Sequence, residues 1–169
     1  MSNMQASVRG LAQGSSSPAA MCRKLNRLVL ANTRSERLTT FFYGILDSAR
    51  GLLRYCNAGN IPPFLVRKDG TVRRLSEGGI VFGVSSDKHY EEAEAAFGAE
   101  DRLVLLTDGI TEGMNSHNEE FGEQRIIDLL NRHRDLTGAE IQKKLLQAVD
   151  AFAVDGLRDD ATLVTVSRK

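Results

Sequence analysis

Two acidic segments, far apart in the sequence, have the residue types of a metal site. Asp108 follows the apolar run from Leu103 to Leu106, and Asp159 and Asp160 come shortly before a second run that is rich in β-branched residues. Adjacent carboxylates repel each other, so outside solvent they need a cation. Neither segment contains histidine or cysteine. A site built from both would therefore suit Mg²⁺ or Mn²⁺ better than zinc.

Each segment also has an ordinary structural interpretation. Asp108 with Gly109 could form a simple turn after a strand. Asp159 could cap a turn while Asp160 lies in water. Thr107 and Glu112 place further polar groups beside Asp108 and so favour a functional site there.

The composition indicates a globular protein without an electrostatic role. The 169 residues include 22 Lys and Arg against 22 Asp and Glu, so the formal net charge is zero. A nucleic-acid or anionic-membrane binder normally carries a basic excess. The chain has no transmembrane-length apolar run and no apolar signal block at its start, which predicts a cytoplasmic protein. Cys22 and Cys56 are too few for a disulfide framework or a zinc site and are expected to be buried thiols.

The elements that would position the acids change in type along the chain. Apolar residues at helical spacing predict a helix from the first residues to Leu11 and a second one opened by Ser17 and Pro18, with Leu28 on its buried face. The central part favours strands, the first two as a hairpin, at 38–47, 52–56, 64–67, 71–75, 90–97 and 103–107. Two helices near 122–132 and 138–154 and a buried strand at 161–166 complete the order, and Gly78, Gly79 and Gly83 are interpreted as turn glycines.

This order predicts one α+β domain, in which helices pack on mainly antiparallel sheet. A helix that begins at the first residue without a cap suggests that further sequence belongs upstream.

Five motifs then stand in a recognisable order along the chain. They are Phe41-Phe-Tyr-Gly-Ile-Leu-Asp47, Gly51-Leu-Leu-Arg-Tyr-Cys-Asn-Ala-Gly-Asn-Ile-Pro-Pro63, Leu106-Thr-Asp-Gly-Ile-Thr-Glu-Gly-Met-Asn115, Phe121-Gly122 and Asp159-Asp-Ala-Thr162. The set resembles the SpoIIE-like branch of the metal-dependent (PPM, or type 2C) protein serine/threonine phosphatases. The resemblance covers nearly the whole of residues 1–169, as a single partial phosphatase domain.

The resemblance implies a fold and a set of metal ligands. The fold is an antiparallel β-sandwich flanked by helices, with a two-metal Mg²⁺ or Mn²⁺ centre at one end. Asp108 and Asp159 are similar to metal-ligand aspartates, and Asp160 is similar to a less constrained position that holds a water or supports the loop. Gly109 is expected to allow a tight turn. Asn57 and Gly59 resemble a structural corner near the site.

The resemblance also implies an activity and a type of partner. A metal-activated water hydrolyses phosphoserine or phosphothreonine without a covalent intermediate. The usual substrate is a small phosphorylated regulator of the anti-anti-sigma type, and an upstream sensor or receiver domain is often attached. Nucleic acid and membrane are not expected partners of this segment.

The chain departs from the family pattern at two points. Asn60 stands where a histidine is common, and the early Asp-x-x-Gly-x-Gly metal motif is absent. The N-terminal strands that carry that motif are therefore expected to be missing, so the two remaining aspartates should bind cations weakly. The exposed sheet edges that result predict self-association.

Three interpretations stay open. The chain is part of a phosphatase that needs upstream residues and is inactive or weak alone, or it is a non-catalytic phosphatase-like binding module in a signalling pathway. The third is an intact enzyme that takes a replacement ligand from another chain or from Glu112.

Overall fold

The computed structural model describes residues 2–12, 17–32, 38–154, 156–157 and 159–168. They form two compact units, one of residues 1–60 and 75–97 and one of residues 61–74 and 98–169. The first is called unit 1 and the second unit 2. In chain order the helices and strands of the described residues are α1 Ser2–Ala12, α2 Pro18–Asn32, β1 Phe41–Asp47, β2 Leu52–Ala58, β3 Phe64–Val66, β4 Val72–Arg74, β5 Gly78–Gly79, β6 Ala93–Ala96, β7 Arg102–Leu106, α3 Asp108–Thr111, α4 Gly122–Arg132, α5 Gly138–Phe152 and β8 Leu163–Ser167.

Unit 1 contains the two N-terminal helices, both of which the sequence predicts. The Ser17 hydroxyl accepts a hydrogen bond from the Ala20 backbone N–H at 3.1 Å and so caps α2 as expected. Met21 and Leu25 are fully buried on the inner face of α2. The prediction for Leu28 is wrong, because its side chain is 36% exposed on the outer side of the helix.

The sheet of unit 1 is built around β2. The predicted hairpin is confirmed: β1 pairs with β2 antiparallel, from Phe41 opposite Ala58 to Asp47 opposite Leu52. On its other side β2 pairs antiparallel with β6 and parallel with β5. The interpretation of Gly78 and Gly79 as turn glycines is wrong. They form β5, and a Cβ on Gly78 would lie 1.9 Å from the Asn57 carbonyl oxygen, so only glycine permits this pairing.

Both cysteines lie in the core of unit 1, as predicted. Cys22 on α2 and Cys56 on β2 have no exposed surface, and their thiols are close enough to interact. This contact and burial raise the pKa of Cys22 above its ordinary value. The structure therefore joins two residues that the sequence presents as unrelated.

Unit 2 contains a four-stranded antiparallel sheet in the order β4, β3, β7 and β8. Its core lies between this sheet and the helices α4 and α5, where Val104, Leu106, Ile126 and Leu145 are buried. The predicted capping box of α5 is present, since Thr137 and Glu140 exchange hydrogen bonds at the start of the helix.

The last strand differs from its prediction. Leu163 to Ser167 form an edge strand that pairs only with β7 among the described strands. Val164 is 46% exposed and Val166 is 37% exposed, whereas the alternate residues Leu163 and Thr165 are half-buried on the face that contacts α5. The strand is thus half-buried rather than buried.

The α+β class and the antiparallel sheets agree with the sequence analysis. Within the part of the chain that the structure describes, no helix has the length and apolar character needed to cross a membrane.

Candidate functional site

Asp108 lies where the central strand of unit 2 turns into a short helix. Strand β7 ends at Leu106, Thr107 has extended backbone dihedrals, and Asp108 begins α3. The Asp108 carbonyl oxygen accepts hydrogen bonds from the Thr111 hydroxyl and the Glu112 N–H, so the backbone at Asp108 is fixed. Its carboxylate is exposed. The buried apolar strand β7 therefore anchors an exposed acid at the rim of a core.

Thr107 joins this turn to the second acidic segment. Its hydroxyl donates a hydrogen bond to the Asp160 carbonyl at 2.9 Å and accepts one from the Thr162 N–H, also at 2.9 Å. The backbone N–H of Thr107 donates to the Thr162 carbonyl at 3.1 Å. One residue thus makes three hydrogen bonds that hold the two segments side by side.

Gly109 brings the two backbones into close contact. A Cβ at this position would lie 2.8 Å from the Asp160 carbonyl oxygen and 2.9 Å from that of Asp159. Its φ is not among the positive values, so this close approach, and not a left-handed backbone, accounts for glycine here. A side chain here would push the two acidic segments apart.

The three predicted metal ligands are exposed and lie on adjacent segments. Asp159 accepts a hydrogen bond from the Asp160 N–H at 2.7 Å, which leaves its other oxygen open to solvent. Carboxylate oxygens are the donors that Mg²⁺ and Mn²⁺ prefer. However, the described residues contain no group of three Asp, Glu, His or Cys side chains arranged to hold a metal ion, and this includes Glu112. The donor type fits a hard divalent cation, and the number of donors is incomplete.

The family is decided by comparison with known proteins. The family profile described as "Stage II sporulation protein E (SpoIIE)" matches residues 1–169. The chain belongs to the SpoIIE family.

Relatives and solved structures agree with this assignment. The chain is 28% identical over 153 residues to a protein named Phosphoserine phosphatase RsbU from Bacillus subtilis, covering 90% of this chain and 45% of RsbU. The SiaA-PP2C domain of Pseudomonas aeruginosa has a TM-score of 0.85 at 20% identity and covers 98% of this chain and 68% of that one. The RsbU and RsbW domains of Rv1364c from Mycobacterium tuberculosis have a TM-score of 0.83 at 21% identity, covering 100% and 47%.

These comparisons identify a PP2C-type phosphatase fold. At such identities the structural likeness concerns the fold alone. The chain spans less than half the length of RsbU.

The SpoIIE-type motif at Asn57 and Gly59 forms a corner in unit 1. The Asn57 side chain is 3% exposed, accepts a hydrogen bond from the Asn60 N–H at 2.8 Å, and donates to the carbonyl oxygens of Asn60 and Leu75. Gly59 has a φ of +70°, and a Cβ there would lie 2.8 Å from the Val81 nitrogen. These contacts fix the local backbone conformation of the corner.

Two features of unit 2 are not predicted from the sequence. The first is that Thr107, a polar neighbour of Asp108 in the sequence, binds the segment that contains Asp159 and Asp160. The second lies at the start of β7, where Asp101 and Arg102 are both buried. In the sequence, the charged pair directly before the apolar run is the pattern that could have indicated buried charges at the start of β7.

Proposed function

We propose that this chain is part of a metal-dependent protein phosphatase that hydrolyses phosphoserine or phosphothreonine on a regulatory protein of the anti-anti-sigma type. The observation that carries the proposal is the close contact of Gly109 with the Asp159–Asp160 backbone, which places two exposed acidic segments side by side. Membership of the SpoIIE family and the likeness to RsbU support the reaction class.

The chain's own residues would position metal and substrate. Asp108 and Asp159 would hold Mg²⁺ or Mn²⁺, and a pair of such ions supplies an activated water and neutralises charge on the phosphoryl group. Thr107 and Gly109 keep the two carboxylates on neighbouring segments through backbone contacts that do not depend on the metal. Asp160 would support the loop through its backbone N–H to Asp159.

The incomplete donor set leads to a second statement. A two-metal centre needs more oxygen ligands than the described residues bring together. We therefore propose that this chain is inactive or weakly active by itself, and that an upstream segment completes the site. A sensor or receiver domain in the full protein would then act as the regulatory partner.

The test is Mn²⁺-dependent hydrolysis of a phosphoserine peptide. The chain is assayed alone and with the residues that precede it in its gene, beside Asp108→Ala and Asp159→Ala. Asp150→Ala, which removes an exposed aspartate of α5, is the matched control. We expect little turnover alone, turnover in the longer protein, and loss of that turnover in the first two variants only.

Other results would favour the other interpretations. Turnover by the chain alone that both substitutions abolish would indicate an intact site with a ligand from a second copy or from Glu112. No turnover in either length would favour a phosphatase-like binding module, which is the second candidate function.

Self-association is proposed through the edge of β8, where Val164 and Val166 are exposed. Exposed apolar edge strands pair readily with other chains. We expect a concentration-dependent sedimentation coefficient at micromolar concentration, reduced by Val164→Lys. A strictly monomeric profile would contradict this proposal.

A further inference from the structure

A cavity of about 560 Å³ lies at the end of unit 2 that is opposite to Asp108 along β7. Its walls include Arg102 at the start of β7 and Ser167, which pairs with Arg102 from β8. The loop after β3, at 67–69, and the loop after α4, at 134–136, complete it. Its volume is in the range of small-molecule sites.

Arg102 is a buried cation that forms no salt bridge with an acid of the described residues. The residue is only 9% exposed, and its guanidinium donates a hydrogen bond to the Leu136 carbonyl oxygen. Its Nε atom is buried and has no hydrogen-bond partner among the described residues. Burial lowers the pKa of Arg102, which is the effect expected when charge is removed from water without compensation. Charged groups inside proteins are normally paired.

The acids nearest in sequence are already engaged by other groups. Asp101 directly precedes Arg102 in the chain. It binds the Arg67 guanidinium at 2.7 Å and the backbone N–H groups of Lys68 and Gly98 at 3.1 and 2.8 Å. Glu100 pairs with the Lys68 ammonium at 2.7 Å. The chain therefore offers Arg102 no carboxylate from this segment.

The rim of the cavity differs from its floor. Asp69, Asp135 and Arg134 on the rim are exposed, so water screens their charges. The Asp69 carboxylate accepts a hydrogen bond from the Thr71 N–H within its own turn at 2.8 Å. Selectivity for charge therefore depends on the desolvated guanidinium of Arg102 and not on the net charge of the rim.

We propose that this cavity binds a small oxyanion, the phosphate or carboxylate group of a metabolite, through the guanidinium of Arg102. A guanidinium presents parallel N–H donors that match both groups in a planar, two-point contact. The site is separate from the acidic segments at the other end of β7 and does not require a metal.

The test uses the ¹⁵N-labelled chain in excess EDTA, titrated with inorganic phosphate or with succinate at constant ionic strength. The Arg102 Nε–H signal, identified by its loss in Arg102→Lys, reports on the cavity directly. We expect a saturable change in its chemical shift, with half-saturation at millimolar concentration or below. The anion that gives the lower half-saturation concentration identifies the ligand class. Asp108→Ala should respond like the wild type, which separates this site from the proposed phosphatase centre.

Two variants make the result decisive. Arg102→Met should abolish the saturable change at the backbone amide of Leu136. Ser167→Phe fills the cavity from β8 and should weaken binding at least tenfold while the Arg102 signal is still present. A linear, unsaturated response to both anions, or equal binding in the wild type and in Ser167→Phe, would overturn the proposal.

Discussion

The two ends of β7 place charge in opposite ways. At the C-terminal end, Asp108 and Asp159 are exposed, and uncharged contacts position them: the Gly109 backbone and the Thr107 hydroxyl. At the N-terminal end, Arg102 is buried, and among the described residues its guanidinium donates a hydrogen bond to the Leu136 carbonyl oxygen alone. The contacts of Gly109 and Thr107 therefore stabilise the C-terminal end. At the N-terminal end, burial of the Arg102 charge lowers the free energy of unfolding. Removing a positioning contact at the C-terminal end should therefore lower the free energy of unfolding, whereas removing the Arg102 charge should not.

The largest effect is expected at the Arg102 end, when Arg67 and Arg102 are each replaced by methionine and the two variants are compared. Arg67→Met leaves Asp101, which is 5% exposed, without its guanidinium, and should lower the free energy of unfolding by about 3 kcal/mol. Arg102→Met replaces a buried ion that has no acidic partner among the described residues by an apolar side chain, and should leave stability unchanged or raise it by about 1 kcal/mol. Urea unfolding measures both. Equal losses would mean that Arg102 is as well compensated as Arg67.

The next effect tests the close approach at the Asp108 end. Gly109→Ala should lower the free energy of unfolding by about 2 kcal/mol, because the added methyl meets backbone that cannot move freely. The control is Gly10→Ala in α1, where nothing lies within 4 Å of the added Cβ. That change should stabilise the chain by up to about 1 kcal/mol through helix propensity. The same sign for both variants would show that the Gly109 contact is not tight.

A smaller effect is expected for Thr107. Thr107→Val keeps the shape of the side chain and removes its two hydroxyl hydrogen bonds to the Asp159-Asp-Ala-Thr162 segment. The loss should be about 1–2 kcal/mol. Thr107→Ser retains the hydroxyl and should recover most of that stability. If valine and serine behave alike in chemical denaturation, the hydroxyl does not hold the segments together.

The smallest effect at neutral pH compares Arg102 with the other buried polar atom that lacks a partner in the described part of the chain, the Tyr90 hydroxyl. Tyr90→Phe should change stability by less than about 1 kcal/mol at pH 7, because no hydrogen bond is lost.

The same variant has a pH dependence of known sign. Burial raises the pKa of Tyr90 to about 12, whereas the unfolded chain ionises near 10. The stabilisation linked to the neutral Tyr90 hydroxyl is complete below pH 10 and is lost as the pH rises toward 12. The free energy of unfolding should fall by about 1 kcal/mol at pH 11. Tyr90→Phe should therefore lose less stability than the wild type between pH 10 and 11. An identical decline in both proteins would contradict the assignment to Tyr90.

The features predictable from the sequence are those with a local cause. The hairpin of β1 and β2, the α5 capping box and the position of Asp108 after an apolar strand follow from periodicity and short-range polar residues. The family motifs added Asn57 and Gly59, whose structural role depends on specific contacts.

The features that were not predictable depend on contacts between distant residues. Gly78 resembles a turn glycine in sequence, and only the Asn57 backbone explains why it lies in a strand. Val164 and Val166 belong to a run of residue types that is typical of a buried strand. Their exposure depends on the position of that strand at the edge of the sheet. The same holds for two further features, which are visible only in the folded chain. They are the contact between Cys22 and Cys56 and the Arg102 Nε atom, which has no hydrogen-bond partner among the described residues.

The hydrogen bond from Thr107 to Asp160 joins residues that are 53 apart in the sequence. During synthesis, Asp108 leaves the ribosome well before Asp160 has been added to the chain. One edge of β7 therefore stays unpaired until β8 has been synthesised. Closure of so long a loop is also slow compared with helix formation. The pairing of the two acidic segments should thus be among the last events of folding, and a nascent chain shorter than this would carry Asp108 without its neighbour.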